Sequence, residues 1–168
     1  MTRRQVAGHG GPMGKSSERA RLAAATAAHR VLHHMVVEGG RARDLPAEVA
    51  AAGPALPGVL NAFLRNVMEF VFEGSEPVGE ISAYLVRLQR AYPAELRVLQ
   101  PEPMAVFVRE QIGPGAPPPG ESRFPVNDAV VFQSRLIAEY TARHQGFSRE
   151  QVELYLRGAI ARYATGGA

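Results

Sequence analysis

Ala55-Leu-Pro-Gly-Val-Leu-Asn-Ala-Phe-Leu-Arg-Asn-Val-Met-Glu-Phe-Val-Phe72 reads as a helix that is apolar almost all the way round, with Leu60, Phe63, Leu64, Val67, Met68, Phe70 and Val71 spread over every side. A surface helix keeps a polar face, so a helix without one has to be enclosed by other elements. Asn61, Arg65, Asn66 and Glu69 fall inside the run. Those groups and its length make it a buried core helix and not a membrane span. What surrounds residues 58–72 decides the fold.

On the N-terminal side, Ser16 or Ser17 can accept from the free N–H groups that open a helix, with Glu18 near its positive end. That helix is expected to run to about Val37, with Leu22, Ala25, His29, Leu32 and Val36 on one face, and to end at Gly39-Gly40. Residues 1–15, rich in Gly and poor in apolar residues, are expected to form a flexible, disordered arm. A short helix follows over Pro46–Ala52, before Gly53-Pro54 and Pro57-Gly58 punctuate the chain.

On the C-terminal side, Ser75 is the expected cap of a helix carrying Val78, Ile81, Leu85, Leu88 and Tyr92, with Pro77 in its first turn. Ala94–Leu99 can form one turn of helix, and another helix runs from Pro101 and Pro103 to about Ile112. Residues 113–124 form a Pro/Gly-rich loop within one domain. Two last helices carry the stripes Val126, Ala129, Val130, Leu136, Ile137, Tyr140 and Val152, Tyr155, Leu156, Ala159, Tyr163. His144–Ser148 is short enough to fold them back as an αα-hairpin, and Ser148 with Gln151 makes a capping box. The expected fold is all-α: one domain of six or seven helices over residues 16–168, with no strand and no repeat.

Composition excludes several classes. Zero cysteines removes disulfides, thiol catalysis and thiolate metal sites, and fits a cytoplasmic protein. Net charge is only +3, with a basic N-terminal end: residues 1–43 hold eight Lys/Arg against Glu18 and Glu38. Lys15 is the only lysine, and the Arg, Ala, Gly and Pro usage resembles bacterial GC-rich coding. Arg3-Arg4 opens no export signal, because His29, Arg30, His33 and His34 break the apolar stretch that should follow.

Candidate chemistry is sparse. His29 and His33 share a helix face at a spacing that can chelate zinc, yet Arg30 stands where a metalloprotease carries Glu, so a solvated helix face is the preferred reading. His34 and Glu38 form a second such pair. Asp44 and Asp128 sit in first helical turns, ordinary places for an acid. Glycines 8, 10, 11 and 14 lack a P-loop pattern, and no serine lies in a nucleophile elbow. Tyrosines 84, 92, 140, 155 and 163 lie on apolar stripes, where core or interface packing is the expected role. No catalytic residue and no cofactor are assigned.

Residues 20–65 resemble the helix-turn-helix region of TetR-family repressors, with the helix ending at Gly39-Gly40 in the place of that family's first helix and, within Arg43–Phe63, Ala51-Ala52-Gly53 as the turn, Val59 six positions on and Phe63 ten positions on. Leu88–Leu96 is similar to a segment of that family's ligand domain. The resemblance implies DNA binding, a small-molecule pocket and a dimer through two C-terminal helices. Glu48 departs from it at a normally apolar position, and Asn61 and Arg65 are the only side chains of the reading helix with groups suited to bases. The residues themselves favour a non-enzymatic helical interaction or regulatory protein, self-pairing or binding a protein partner. Its expected homodimer interface comprises Leu136, Ile137, Tyr140, Tyr155, Leu156, Ala159, Ile160 and Tyr163. A TetR-like regulator reading DNA through Asn61 and Arg65 is the alternative, and a metal-binding or enzymatic protein using His29 and His33 the third reading.

Overall fold

A helix lacking a polar face must be wrapped, and the computed structural model, which describes residues 13–166, shows the wrapping. Helices α1 (Met13–Val36), α2 (Pro46–Ala52), α3 (Ala55–Val71), α4 (Val78–Ala91), α5 (Pro101–Ile112), α6 (Asp128–His144) and α7 (Arg149–Ala164) follow one another, with a 3-10 turn at Ala42–Asp44. No strand occurs among the described residues. Helix α3 is the axis: α1, α5, α6 and α7 all lie against it, and α4 packs on α5. Val59, Ala62, Phe63, Leu64, Val67 and Met68 are sealed from solvent. The fold is the expected all-α arrangement in one domain.

Local chemistry sets most helix ends. Gly53 takes φ +47, a conformation few other residues adopt, and turns the axis by 85° between α2 and α3. Ser148 Oγ accepts from the Gln151 N–H at 3.2 Å while Gln151 Oε1 accepts from the Ser148 N–H at 2.8 Å, the expected capping box of α7. Asn127 Oδ1 caps α6 by accepting from the Val130 N–H at 3.0 Å.

Three boundaries differ from expectation. Helix α1 starts at Met13, so residues 13–15 are helical and Ser16 and Ser17 lie inside it; Gly14 costs a helix little so near its end. The rest of the expected arm, residues 1–12, lies outside the described residues. Helix α4 starts at Val78, not after Ser75. Pro77 forces Glu76 out of the helical region, and the Glu76 carboxylate instead accepts from the N–H groups of Glu73 and Gly74 at 2.7 and 2.8 Å. Residues 93–98 form successive turns and no regular helix, one of them closed by the Leu96 N–H on the Tyr92 carbonyl, and are held by Gln89 Nε2, which donates to the carbonyls of Leu96 and Leu99.

Helices α6 and α7 are joined by a tight turn with Gly146 at φ +72. They do not line each other as closed hairpin arms: each lays its stripe on α3, and α7 also lies on α1. The apolar surface of α3 on every side is the larger partner for both. Tyr163 at the end of α7 covers Gly58 so closely that a Cβ there would lie 2.3 Å from its ring. Arg21 of α1 holds the same end, donating to the Tyr163 carbonyl at 2.8 Å with its guanidinium 4.8 Å from the ring centroid.

Two stability measurements check this architecture. Phe63→Ala leaves a cavity in a fully enclosed helix and is expected to cost about 3–5 kcal/mol in denaturant unfolding; a loss below ~1 kcal/mol would displace α3 from the centre. Gly→Ala inside a helix ordinarily stabilises by roughly 0.5–1 kcal/mol, but Gly58→Ala is expected to destabilise by about 1–3 kcal/mol through overpacking against Tyr163. A Tyr163→Ala background should restore the ordinary sign, because the two positions are coupled by contact.

Candidate interaction surface

Sequence period places the stripe of α7 inward, and Leu154 is out of register with it. It is 57% exposed, while Phe70 near the end of α3 is 54% exposed. The two flank an open groove of about 520 Å³ between α3 and α7, with Asn66, Glu69, Tyr155 and Gly158 as its other walls. Phe147 from the turn before α7 meets Phe70 edge-on and Tyr155 at an inclined angle, each at 4.9 Å between ring centroids, which fixes the aromatic wall. Gly158 opens the floor: a side chain begun there would come within 3.4 Å of Asn66 Nδ2.

The polar rim is occupied by its own partners. Asn66 Nδ2 donates to the Tyr155 carbonyl at 3.2 Å, and Asn66 Oδ1 accepts from Arg162 at 3.0 Å. Arg162 also donates through both terminal nitrogens to Glu69 at 2.8 Å, and this pairing raises the arginine pKa above its ordinary value. The groove therefore presents an apolar centre with a fixed, ion-paired border.

Of the residues expected at a dimer interface, Tyr155 lines this groove and the others lie elsewhere. Leu136, Ile137, Tyr140, Leu156 and Ala159 are buried within the protomer. Tyr155, Ile160 and Tyr163 are half-buried against the same core. Their stripes are taken up within the protomer, mainly by α3, so apart from the groove-lining part of Tyr155 these side chains do not form a free surface. Phe70, expected to be enclosed with the rest of its helix, is exposed instead, and Leu154 and Gly158 escaped the sequence reading, although Leu154 is a large apolar residue off the apolar stripe of α7.

Asn61 and Arg65, expected to reach DNA, are also interior, at 6% and 2% exposure. Gln111 Oε1 accepts from Asn61 Nδ2 at 2.8 Å and from Arg65 Nε and Nη2 at 3.1 and 2.6 Å, and Arg65 donates further to the Pro117 carbonyl. Burial, reinforced by Arg162, pushes the Arg65 pKa down to about 10, which leaves it charged at neutral pH. Asn61 Oδ1 and Ser134 Oγ find no partner among the described residues; both residues line a recess of about 20 Å³, room for one water molecule. The sequence-stretch that resembles a reading helix thus turns its polar groups inward.

His29 and His33 lie side by side, their rings inclined at 42° with centroids 6.0 Å apart, and His33 contacts Glu38 and Glu153, each at 3.3 Å. Burial, with His33 beside it, lowers the His29 pKa. Among the described residues no group of three or more His, Asp or Glu side chains is placed to hold a metal ion. His34 serves the turn after α1. Its ring lies on Gly40, where a Cβ would meet it at 2.0 Å, and its nitrogens face Glu38 at 2.8 Å and Asp44 at 3.2 Å.

Compared with protein-family models, curated proteins and solved structures, the chain matches none. No single helix among the described residues is long and apolar enough to cross a membrane.

The His34 clamp has a pH signature. Hydrogen bonds to Glu38 and Asp44 raise the His34 pKa, so its contribution is complete below the unfolded value near 6.5 and is lost as pH rises through the folded one. Glu38 is lowered chiefly by His34, and Asp44 chiefly by the Arg41 N–H, so their contribution is present above ordinary carboxylate values and lost on acidification. The junction is expected to be tightest between about pH 5 and 6.5. Melting temperatures of the parent and His34→Gln across pH 4–9 check this: the parent's advantage should shrink above neutrality, and a constant difference would exclude the linkage.

Proposed function

We propose that the protein is a non-enzymatic helical interaction protein that pairs with a second copy of itself through the outer face of α7 and the end of α3. The observation that carries this reading is the pair of large apolar side chains, Phe70 and Leu154, more than half exposed on either side of one groove. Large apolar side chains grouped around a concavity and rimmed by ion pairs are the usual composition of a protein-binding patch. The groove's polar groups, Asn66, Glu69 and Arg162, are engaged with one another, so the surface offers shape and apolar area and no reacting group.

A second copy fits the order of residues on α7. Gln151, Leu154, Gly158, Ala161 and Thr165 recur at three- and four-residue steps and form its outward line. When two such helices run antiparallel about a twofold axis near Arg157 and Gly158, Leu154 of each protomer falls opposite Ala161 of its partner. Large then meets small, Gly158 allows close approach, and the helix dipoles oppose favourably. The reading keeps a C-terminal homodimer but moves it from the buried stripe to the opposite side of α7. A DNA-reading regulator draws less support, because Asn61 and Arg65 are turned into the core.

Sedimentation at tens of micromolar tests the reading. The parent is expected to be a dimer, tightly so if its constant is near ~1 μM, about 8 kcal/mol. Leu154→Glu and Phe70→Glu should each yield monomer with an unchanged helical circular-dichroism spectrum, since a carboxylate resists burial in an apolar contact. A monomeric parent, or dimers indifferent to both changes, overturns the proposal.

A further inference from the structure

A second concavity lies away from the α3–α7 groove. The C-terminal half of α1, the 3-10 turn, the start of α3 and the first two turns of α6 enclose a cleft of about 210 Å³. Met35, Leu56 and Val131 form apolar walls, and Phe132, 48% exposed, stands at the rim with Asp128 and Arg135. Apolar cavities of about 150 Å³ accept a benzene ring, so this one suits a single ring with a short tail.

The charges at the rim are unequal in their freedom. Arg135 Nη1 is 2.6 Å from Glu139, and the guanidinium sits 5.3 Å from the Phe132 ring centroid. Its charge is answered by Glu139 and by the ring, while Nε, shielded from solvent, has no acceptor among the described residues. Asp128 is exposed and has no ion-pair partner among the described residues. It lies four positions before Phe132 on α6, so carboxylate and ring share one helix face. An unpaired carboxylate beside an exposed aromatic ring, over an apolar cleft, is complementary to an organic ammonium on a short apolar body.

We propose that the α1–α3–α6 cleft binds a small arylalkylamine, its ring among Met35, Leu56 and Val131 and its ammonium on the Asp128 carboxylate and the Phe132 ring. Arg135, held by Glu139, borders the site and selects against a second cation without attracting an acid strongly. The site is independent of self-association: its lining residues do not include those of the α3–α7 groove.

Calorimetric titration of the full chain with 2-phenylethylamine, 3-phenylpropionate and 2-phenylethanol at low ionic strength tests the assignment. The amine is expected to bind with Kd on the order of 1 mM, in keeping with a ligand of about nine non-hydrogen atoms, and at least roughly tenfold more tightly than the acid. Asp128→Asn should bring the amine to the level of the alcohol and leave the alcohol unchanged. Val131→Trp, which fills the cleft, should remove binding of all three; Met35→Trp does the same from the opposite wall should the first variant fold poorly. Absence of saturable amine binding at ~10 mM, equal binding of the acid, or an amine affinity indifferent to Asp128→Asn overturns the proposal.

Discussion

The enclosure of α3 is the constraint from which the rest of the structure follows, and its hardest requirement is Arg65. A guanidinium removed from water needs acceptors, and leaving one unmet is strongly unfavourable. Gln111 of α5 supplies a single amide oxygen that takes two donors from Arg65 and one from Asn61, and the Pro117 carbonyl takes another. Negative charge arrives one link further on: Gln111 Nε2 donates to Glu110, whose carboxylate also accepts from Ser122 Oγ and the Arg123 N–H. One buried cation thereby ties α3 to α5 and holds the Pro/Gly-rich segment across the fold. That segment reaches Gly58, where Gly120 takes φ +91 and a Cβ on it would lie 3.1 Å from the Gly58 Cα, a tight approach that favours glycine.

The same constraint determines what remains outside. Because α3 is apolar on all sides, it draws in the stripes of both α6 and α7, and the seam that those two helices would otherwise form is replaced by two separate seams against α3. The apolar face that α7 would offer to a partner is used up internally. Apolar surface survives at the groove between the two helices: at Phe70, in the last turn of α3, and at Leu154 of α7. The cleft by Asp128 likewise lies where residues of α1, α3 and α6 meet.

Buried charge elsewhere follows the same rule of compensation. Glu139 of α6 is enclosed, and burial raises its pKa, yet Arg135 and Arg143 at one turn before and after bracket its carboxylate at 2.6 and 2.8 Å. The i, i+4 spacing makes this pairing a property of the helix alone. The link from Arg65 to Gln111 spans 46 residues and belongs to the packed fold.

The sequence by itself determined the helices, because hydrophobic period, Gly53, Ser148 and the prolines act over a few residues. It determined the central place of α3, because a helix without a polar face has one environment open to it. It also determined that Ala25, Leu32, Phe63, Val67, Leu136 and Leu156 are core. Partner choice was decided only by tertiary structure. The resemblance to a reading helix assigns Asn61 and Arg65 to DNA, and the fold instead turns them inward onto the distant Gln111. The stripe at Leu136, Ile137, Tyr140, Leu156 and Ala159 is a statement that these side chains are buried, and a one-dimensional period cannot distinguish burial against the same chain from burial against another. That distinction depends on the apolar area α3 still has uncovered when α6 and α7 arrive, a quantity set by the whole packing and by no local run of residues.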